Sequence, residues 1–179
     1  MDTMQALEQR KSVRNYKNET VDTDKLNKLV FAATHAPNAG EYQVTVLTNP
    51  ALIQGINDKA LTAMKNSGND FLMQRAALPG YQPLYGAPLL ILFSAPDGPY
   101  GMANASCAAT SVCIAATALD LGSCYVVTPT LALAEDAILR QKAGISEGYT
   151  TFCGVLAGYA AGDAFSAQRP QNVRVNYCK

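Results

Sequence analysis

The sequence has little charge, a single histidine and no excess of either sign of charge. Charged residues make up 16% of the 179 residues, and 14 basic residues balance 14 acidic ones. A chain of zero net charge lacks the basic face that general nucleic-acid binding requires, although a local anion site remains possible. Because 49% of the residues are apolar, we expect a large core and a surface partly covered in a subunit interface.

The scarcity of histidine excludes several kinds of site. A Ser-His-acid or Cys-His arrangement would have to use His35, and no nucleophile-elbow sequence is present. We interpret His35 as a helix-end or core histidine and predict no catalytic side chain and no metal site. The cysteines form no CxxC pair, which predicts reduced, mostly buried thiols at Cys107, Cys113, Cys124, Cys153 and Cys178.

Neither a secretion signal nor a membrane span is predicted. Residues 1–14 contain no apolar core of signal-peptide length, so we expect a cytoplasmic protein. Residues 98–119 carry no charge, but they mix alanine with glycine, proline, asparagine, serine and threonine. The free energy of transferring this segment into a bilayer is too unfavourable for insertion, so we predict a buried helix.

Hydrophobic periodicity and turn residues predict alternating helices and strands. Helices are predicted over 3–10, from Asp22 or Thr23 to Pro37, after Asn49-Pro50, over 103–119 (ended by Gly122) and over 132–143. Strands are predicted over 42–48, 88–94, 124–127 and 150–156, and residues 67–85 are predicted as a loop with at most a short helix.

This pattern predicts one domain over residues 1–179. Its large helical share and few strands indicate an α+β, three-layer α-β-α fold, with helices flanking a mixed or mostly antiparallel sheet of about four to five strands. The tail at 163–179 is polar, so we expect it to be ordered only on another surface, such as that of a partner subunit.

The opening cluster, Arg10 to Tyr16, is the first candidate site. Arg10 supplies forked guanidinium donors and Ser12 a hydroxyl, so the two together can hold a phosphate. Arg14 lies four residues beyond Arg10 and need not share its target. The alternative is a solvated basic turn.

The loop from Ala36 to Gln43 is the second candidate site. Small residues at Pro37, Asn38 and Ala39 allow a flat ligand to approach the main chain, while Asn38 and Gln43 supply donors and acceptors. The alternative is an ordinary helix–strand loop. Two weaker candidates are the segment 119–125, where a helix passes directly into a strand, and the tail arginines, Arg169 and Arg174.

Taken in order, these segments resemble the nitroreductase family of FMN-dependent oxidoreductases over nearly the whole chain. Each motif is short, but five in the expected order are hard to obtain by chance. They are Arg-x-Ser-x-Arg-x-Tyr at 10–16, Ala-Pro-Asn-Ala at 36–39 with Gln43, Tyr-Gly-Ala-Pro-Leu-Leu-Ile at 85–91, Leu-Gly-Ser-Cys at 121–124 and Ala-Gly-Tyr at 157–159.

The resemblance implies a homodimer that binds FMN at its interface, with each flavin contacted by both subunits. Arg14 matches a position near the ring edge, and Arg169, or else Arg174, matches a late basic residue at the phosphate. The full set of flavin-binding positions implied in this way is Arg10, Ser12, Arg14, Pro37, Asn38, Ala39, Gln43, Tyr125, Val126 and Arg169.

The implied activity is ping-pong transfer of hydride from NAD(P)H through flavin N5 to a small organic acceptor, such as a nitroaromatic or a quinone. No GxGxxG dinucleotide motif is present, so a reduced ferredoxin-like protein is an alternative donor. Two competing hypotheses are a flavin-binding or sensing protein without turnover and a dimer that binds no flavin.

Three departures from the family pattern concern the substrate side of the site. Val44-Thr45 replaces a common Pro-Trp, Glu41 stands where asparagine is frequent, and Asn104 stands where aspartate is common. Residues 67–83, which in the family help to shape the substrate pocket, give no residue match.

Overall fold

Four strands form the central sheet. The computed structural model describes residues 1–162 and 172–178. The strands are β1 (Gln43–Leu47), β2 (Leu89–Pro96), β3 (Gly122–Val126) and β4 (Tyr149–Gly158), in the spatial order β1-β2-β4-β3. Each neighbouring pair is antiparallel, which confirms the predicted α+β fold and sheet.

Helices cover both faces of this sheet. On one face, the alanine-rich helix contacts β2, β3 and β4, and the two N-terminal helices pack on it. The other helices form the second outer layer. The helices are α1 (Thr3–Gln9), α2 (Thr23–Thr34), α3 (Pro50–Lys65), α4 (Asp70–Ala76), α5 (Gly101–Ala118), α6 (Thr128–Glu135) and α7 (Ala137–Lys142).

Strand β2 forms the centre of the core, as its continuous apolar run predicts. Leu90 and Leu92 pack with Ile56 of α3, whereas Ile91 and Phe93 pack with the α5 side. This division follows from the alternation of side chains along a strand. Each of these fully buried side chains stabilises the fold by about 1.5–3 kcal/mol relative to an exposed one.

The uncharged segment forms the buried helix that the sequence predicts. Helix α5 places Ala105, Ala108, Ala109 and Ala116 in the core, where their small side chains allow close approach to the sheet. Within residues 1–162 and 172–178, no helix is long and apolar enough to cross a membrane.

Helix α5 ends differently from the prediction. Asp120, at φ 57°, takes the left-handed conformation, and the Leu121 N–H donates to the Ala116 carbonyl at 2.8 Å. Gly122 is instead the first residue of β3, where a Cβ would lie 2.8 Å from Cγ1 of Val13. The prediction that Gly122 stops the helix is wrong. Because Gly122 has no side chain, Val13 of the N-terminal segment can pack closely against β3.

The helix predicted over 132–143 is also wrong, because it is divided into α6 and α7. Asp136 is extended, and its side chain accepts a hydrogen bond from the Leu139 N–H and so starts a new helix. Asp22 precedes α2 but makes no side-chain cap, since its carboxylate accepts a hydrogen bond from the Tyr159 hydroxyl.

The histidine and the cysteines lie where the sequence predicts. His35 ends α2, with its ring stacked on Phe31 at 3.8 Å between centroids, so it is a helix-end histidine. All five cysteines are free thiols; Cys107 and Cys178 are exposed, and the other three are buried.

Candidate functional site

The N-terminal segment runs along the outer edge of β3. Ser12 pairs in parallel with Ser123, whose carbonyl accepts a hydrogen bond of 2.8 Å from the Val13 N–H. Val13 and Tyr16 are buried, and the Tyr16 hydroxyl donates to the Val13 carbonyl. Because Val13 faces the core, its neighbours Ser12 and Arg14 face outward from the edge of the sheet.

A cavity of about 260 Å³ opens where β3 ends and α6 begins. Arg14, Tyr125 and Val126, three of the predicted site residues, line it together. Helix α4 and the segment after it contribute further residues that the sequence analysis did not select. The described residues that line it are Arg14, Met64, Phe71, Leu72, Arg75, Tyr81, Pro83, Tyr85 and residues 124–128.

The cavity is electropositive. Arg14 lies with its guanidinium carbon 5.9 Å from the centroid of the Tyr85 ring, and its Nη1 makes a long hydrogen bond of 3.4 Å to the Ser12 carbonyl. Arg75 donates to the hydroxyls of Tyr81 and Tyr85 at 3.4 and 3.2 Å. None of the described residues that line the cavity is acidic, so the site favours a ligand with negative charge.

Thr128, at the start of α6, lines this cavity and carries an unsatisfied polar atom. The Thr128 Oγ1 is buried and has no hydrogen-bond partner among the described residues. No side chain caps the N-terminus of α6, where the helix dipole places partial positive charge. A buried hydroxyl without a partner costs about 1–3 kcal/mol, which a polar ligand atom would recover.

Strand β3 directs its side chains to two different layers. Cys124 and Val126 belong to the core cluster on the cavity side. Tyr125 alternates to the α5 side, where its hydroxyl hydrogen-bonds with Ser106 and Cys153 and burial raises its pKa. Tyr125 is nevertheless 40% exposed and lines the cavity together with Cys124 and Val126.

Ser12 and Arg14 both lie near the Cys124 thiol. Burial raises the pKa of Cys124, while the Arg14 charge and a hydrogen bond to Ser12 act in the opposite direction. The Ser12 hydroxyl is thus within reach of the cavity lining.

The Arg10 charge acts on a different cysteine from the one that Arg14 affects. It is the C-cap residue of α1, and it is close enough to Cys113 of α5 for its charge to act on that thiol. Burial raises the pKa of Cys113 to about 11, against the opposing effects of the Ser123 hydrogen bond and the Arg10 charge. Arg10 is not among the described residues that line the cavity.

The loop of Pro37, Asn38 and Ala39 is exposed but held in place by Asn104. The Asn104 side chain accepts a hydrogen bond from the Ala39 N–H at 2.8 Å and donates to the Ala39 carbonyl at 2.9 Å. Asn104 itself is only 4% exposed. The Asn38 amide nitrogen donates to the Ala36 carbonyl, so this loop is shaped largely by its own hydrogen bonds.

Gln43 lies on β1, at the sheet edge opposite to β3. Its amide nitrogen donates to the Gly144 carbonyl at 2.7 Å, and its amide oxygen accepts from the Ser146 N–H at 3.0 Å. Three strand spacings separate the two edges by about 14 Å. One chain therefore does not bring Gln43 to the cavity. Arg169 lies outside the described residues, and Arg174 is exposed.

Comparison with known proteins identifies the family. The Nitroreductase family model matches residues 7–159. The chain belongs to the nitroreductase family. This family membership accounts for the order of the five sequence motifs.

Solved structures of nitroreductases share its fold. A nitroreductase with bound FMN from Bacteroides fragilis NCTC 9343 is 22% identical, with a TM-score of 0.89 and 100% of both chains covered. One from Desulfitobacterium hafniense DCB-2, also with bound FMN, is 24% identical with the same TM-score and coverage. An FMN-dependent nitroreductase from Clostridium difficile R20291 is 19% identical, with a TM-score of 0.83 and 99% of both chains covered. No curated protein matches the chain significantly.

In this nitroreductase-family chain, the cavity residues that the sequence did not predict include Arg75 and Thr128. A signal for Arg75 exists, because it is the one charged residue between Asp70 and Asp97. Thr128 gives no such signal, because its importance lies in the absence of a hydrogen-bond partner among the described residues of the fold.

Proposed function

We propose that this chain is an FMN-dependent oxidoreductase that transfers hydride from NAD(P)H to a small organic acceptor in two separate half-reactions. The cavity at the end of β3 carries this proposal. It combines cationic side chains, apolar and aromatic walls and an unused hydroxyl at a helix N-terminus. The FMN bound to two of the similar nitroreductases supports the choice of cofactor.

The donor set of the cavity fits a flavin. The isoalloxazine ring is flat and largely apolar, and its pyrimidine edge carries polar atoms that gain negative charge on reduction. Arg14 would stabilise that charge by Coulombic attraction. Thr128 and the N-terminus of α6 would hydrogen-bond the polar atoms of the ring. When bound, FMN supplies hydride transfer at N5, for which the described chain has no substitute.

The phosphate of FMN requires a cationic site apart from the ring. Arg10 and Ser12 belong to the same N-terminal segment as Arg14, and Arg10 lies close enough to Cys113 of α5 for its charge to act on that thiol. We propose that Arg10 and Ser12, with Arg169 or Arg174 of the tail, bind the phosphate. A forked guanidinium hydrogen bond favours this group.

In a site shared between two subunits, residues 37–39 and Gln43 of one chain would lie beside the cavity of the other chain. Gln43 cannot reach the cavity of its own chain across about 14 Å of sheet, and Pro37, Asn38 and Ala39 are not among the described residues that line it. We propose that they contact the flavin held by a second copy of the chain. Each homodimer would then bind two FMN molecules, one in each equivalent site.

The described part of the tail supports this assembly. Val173, Val175 and Tyr177 are 75%, 64% and 86% exposed and alternate with polar residues, which is the pattern of a strand that covers an apolar surface. We propose that residues 163–179 cross onto the partner. Sedimentation should then show a dimer at micromolar concentration, and deletion of 163–179 should lower both dimer stability and FMN retention. A truncated protein that stays dimeric, yellow and equally stable would exclude the crossing tail.

Anaerobic reduction tests the activity directly. The protein is loaded with FMN and mixed with NADH or NADPH, and bleaching of the flavin is followed before re-oxidation by nitroaromatics and quinones. Rapid bleaching by either nucleotide supports the proposal. Reduction by dithionite alone would indicate a protein donor or a flavin sensor, and failure to bind FMN would exclude a flavoenzyme.

A further inference from the structure

Arg75, on the α4 side of the cavity, has no counterion among the described residues. The ion pairs of residues 1–162 and 172–178 are Lys28–Asp24 and Lys59–Glu135, so Arg75 has no carboxylate within 4.0 Å in this part of the chain. Its hydrogen-bond partners are two hydroxyls, those of Tyr81 and Tyr85. The positive charge of Arg75 is therefore fixed in place, and no described carboxylate neutralises it.

The two tyrosines hold the guanidinium in a defined position. Arg75 lies 5.3 Å from the Tyr81 ring centroid, and the Tyr81 and Tyr85 rings meet edge to face at 82°. Hydrogen bonds to both tyrosines raise the pKa of Arg75, and burial raises the pKa of Tyr81. Tyr81 thus remains neutral. Two N–H groups of the guanidinium are used, and three remain for a ligand.

The surroundings of Arg75 determine the shape of a suitable ligand. Phe71, Leu72 and Met64 provide apolar surface in the same cavity, and the tyrosine rings provide aromatic surface. A flat apolar body fits such walls, whereas the unneutralised guanidinium favours an anionic group. A carboxylate pairs with a guanidinium through two parallel hydrogen bonds, which combine charge with directional selectivity.

We propose that Arg75 binds the carboxylate of the acceptor, so that this enzyme acts on flat aromatic carboxylates. This inference rests on the proposed function, in which FMN lies against the β3 side of the cavity and leaves the α4 side for the acceptor. Arg75 is then a specificity residue, and Tyr81 and Tyr85 are positioning residues for its guanidinium.

The test compares 4-nitrobenzoate with 4-nitrobenzamide, which have the same shape and differ in charge. Each is titrated into the oxidised, FMN-loaded protein without donor, and binding is read from the flavin absorbance. We expect wild type to bind the carboxylate at least about tenfold more tightly, the lower end for a charge-assisted hydrogen bond. Arg75→Gln should abolish this preference and leave the amide unaffected. Arg75→Lys should retain part of it, because it keeps the charge but loses the fork.

Arg140→Gln is the matched control, since Arg140 lines a different cavity. The ratio of KM values for the two acceptors should follow the binding ratio. The proposal is overturned if Arg75→Gln weakens both compounds equally, or if it shifts the FMN midpoint potential and leaves their ratio unchanged. Should Arg75→Gln fail to fold, Arg75→Met replaces it, because methionine also removes the charge and keeps much of the length; an Arg75→Met variant with the full wild-type preference would overturn the proposal.

Failure of the proposed function would be distinguishable from failure of this inference. Saturation-transfer NMR detects binding of 4-nitrobenzoate without using flavin absorbance. A protein that binds no FMN disproves the flavoenzyme proposal whatever the NMR result. A yellow, active protein with no preference for the carboxylate disproves the role of Arg75 alone.

Discussion

The two groups of site residues differ in how completely their polar atoms are bonded. In the first, called the β1-edge group because its chain segment leads into β1, Asn104 of α5 uses its amide oxygen and nitrogen on Ala39, and Gln43 uses both of its polar atoms on the 144–146 loop. In the β3-edge group, the Arg14 hydrogen bond is long, and the Thr128 hydroxyl has no partner among the described residues.

We infer from this difference that the two groups have different roles. Buried polar groups are almost always hydrogen-bonded in a finished fold, so an unsatisfied group in a cavity indicates a partner still to bind. The β1-edge group is complete without a ligand and therefore fixes the shape of a loop. The β3-edge group has unused charge and hydrogen-bonding capacity, so we expect it to determine the affinity and the chemistry of the ligand.

Asn104→Ala should have the largest effect, and it should act on stability. The substitution removes two hydrogen bonds and leaves a small cavity, which together cost about 2–4 kcal/mol. Urea denaturation of the FMN-free protein measures the loss. Asn27→Ala, the same change at an exposed position of α2, is the control and should stay within about 0.5 kcal/mol of wild type. Equal stability of the two variants would contradict a structural role for Asn104.

Arg10→Ala should act on affinity instead. Loss of a charge-assisted hydrogen bond to the phosphate should weaken FMN by about 1.5–3 kcal/mol with little change in stability. Fluorescence titration measures this. Riboflavin, which lacks the phosphate, should bind wild type weakly and be almost indifferent to the substitution. Arg140→Ala serves as the control arginine, and an unchanged FMN dissociation constant in Arg10→Ala would remove Arg10 from the site.

The sequence predicted the architecture because its signals are local. The apolar run of β2, the uncharged α5 and the turn residues each carry a local signal. The ordered motifs name Arg14, Tyr125 and Val126, which line one cavity in the fold; their role at a flavin stays a prediction. The prediction failed where a contact between residues that are distant in the sequence determines the structure. Gly122 is typical of a helix stop, and only the proximity of Val13 shows why a glycine is needed in β3.

The α4 wall was not predictable for the same reason. Arg75 and Arg14 are far apart in sequence, and nothing local indicates that they line one cavity. Gln43, by contrast, was predicted as a ligand contact, because its amide can hydrogen-bond a ligand as well as a loop. Its two bonds to residues 144 and 146 became visible only in the fold.

Arg14→Gln should change the redox potential more than the affinity. At an effective dielectric constant near 20, a pair of charges about 4 Å apart is worth roughly 4 kcal/mol, and access of water to the site reduces this to about 1–2 kcal/mol. For a two-electron couple, that lowers the FMN midpoint potential by roughly 20–45 mV. Spectroelectrochemical titration measures the potential, and stopped-flow reduction by NAD(P)H should be slower. A potential equal to that of wild type would place Arg14 away from the ring.

Thr128→Val should give the smallest effect, and it tests the difference between the β1-edge and β3-edge groups most directly. Valine keeps the shape of threonine and removes the buried, unsatisfied hydroxyl, so the FMN-free protein should become more stable by about 1 kcal/mol. FMN affinity should fall by a few fold, because the ligand loses a hydrogen bond.

Two matched threonines separate these effects on stability and affinity. Thr45 Oγ1, in β1, is also buried without a partner among the described residues, so Thr45→Val should stabilise the protein with no change in FMN affinity. Thr130 Oγ1 already donates to the Val127 carbonyl at 2.7 Å, so Thr130→Val should destabilise it by about 1 kcal/mol. Thermal unfolding with and without FMN measures all three variants. Thr128→Val could instead behave like Thr45→Val and stabilise the protein without changing its FMN affinity. In that case the Thr128 hydroxyl does not contact the ligand, and the proposed difference between the two groups is wrong for this residue.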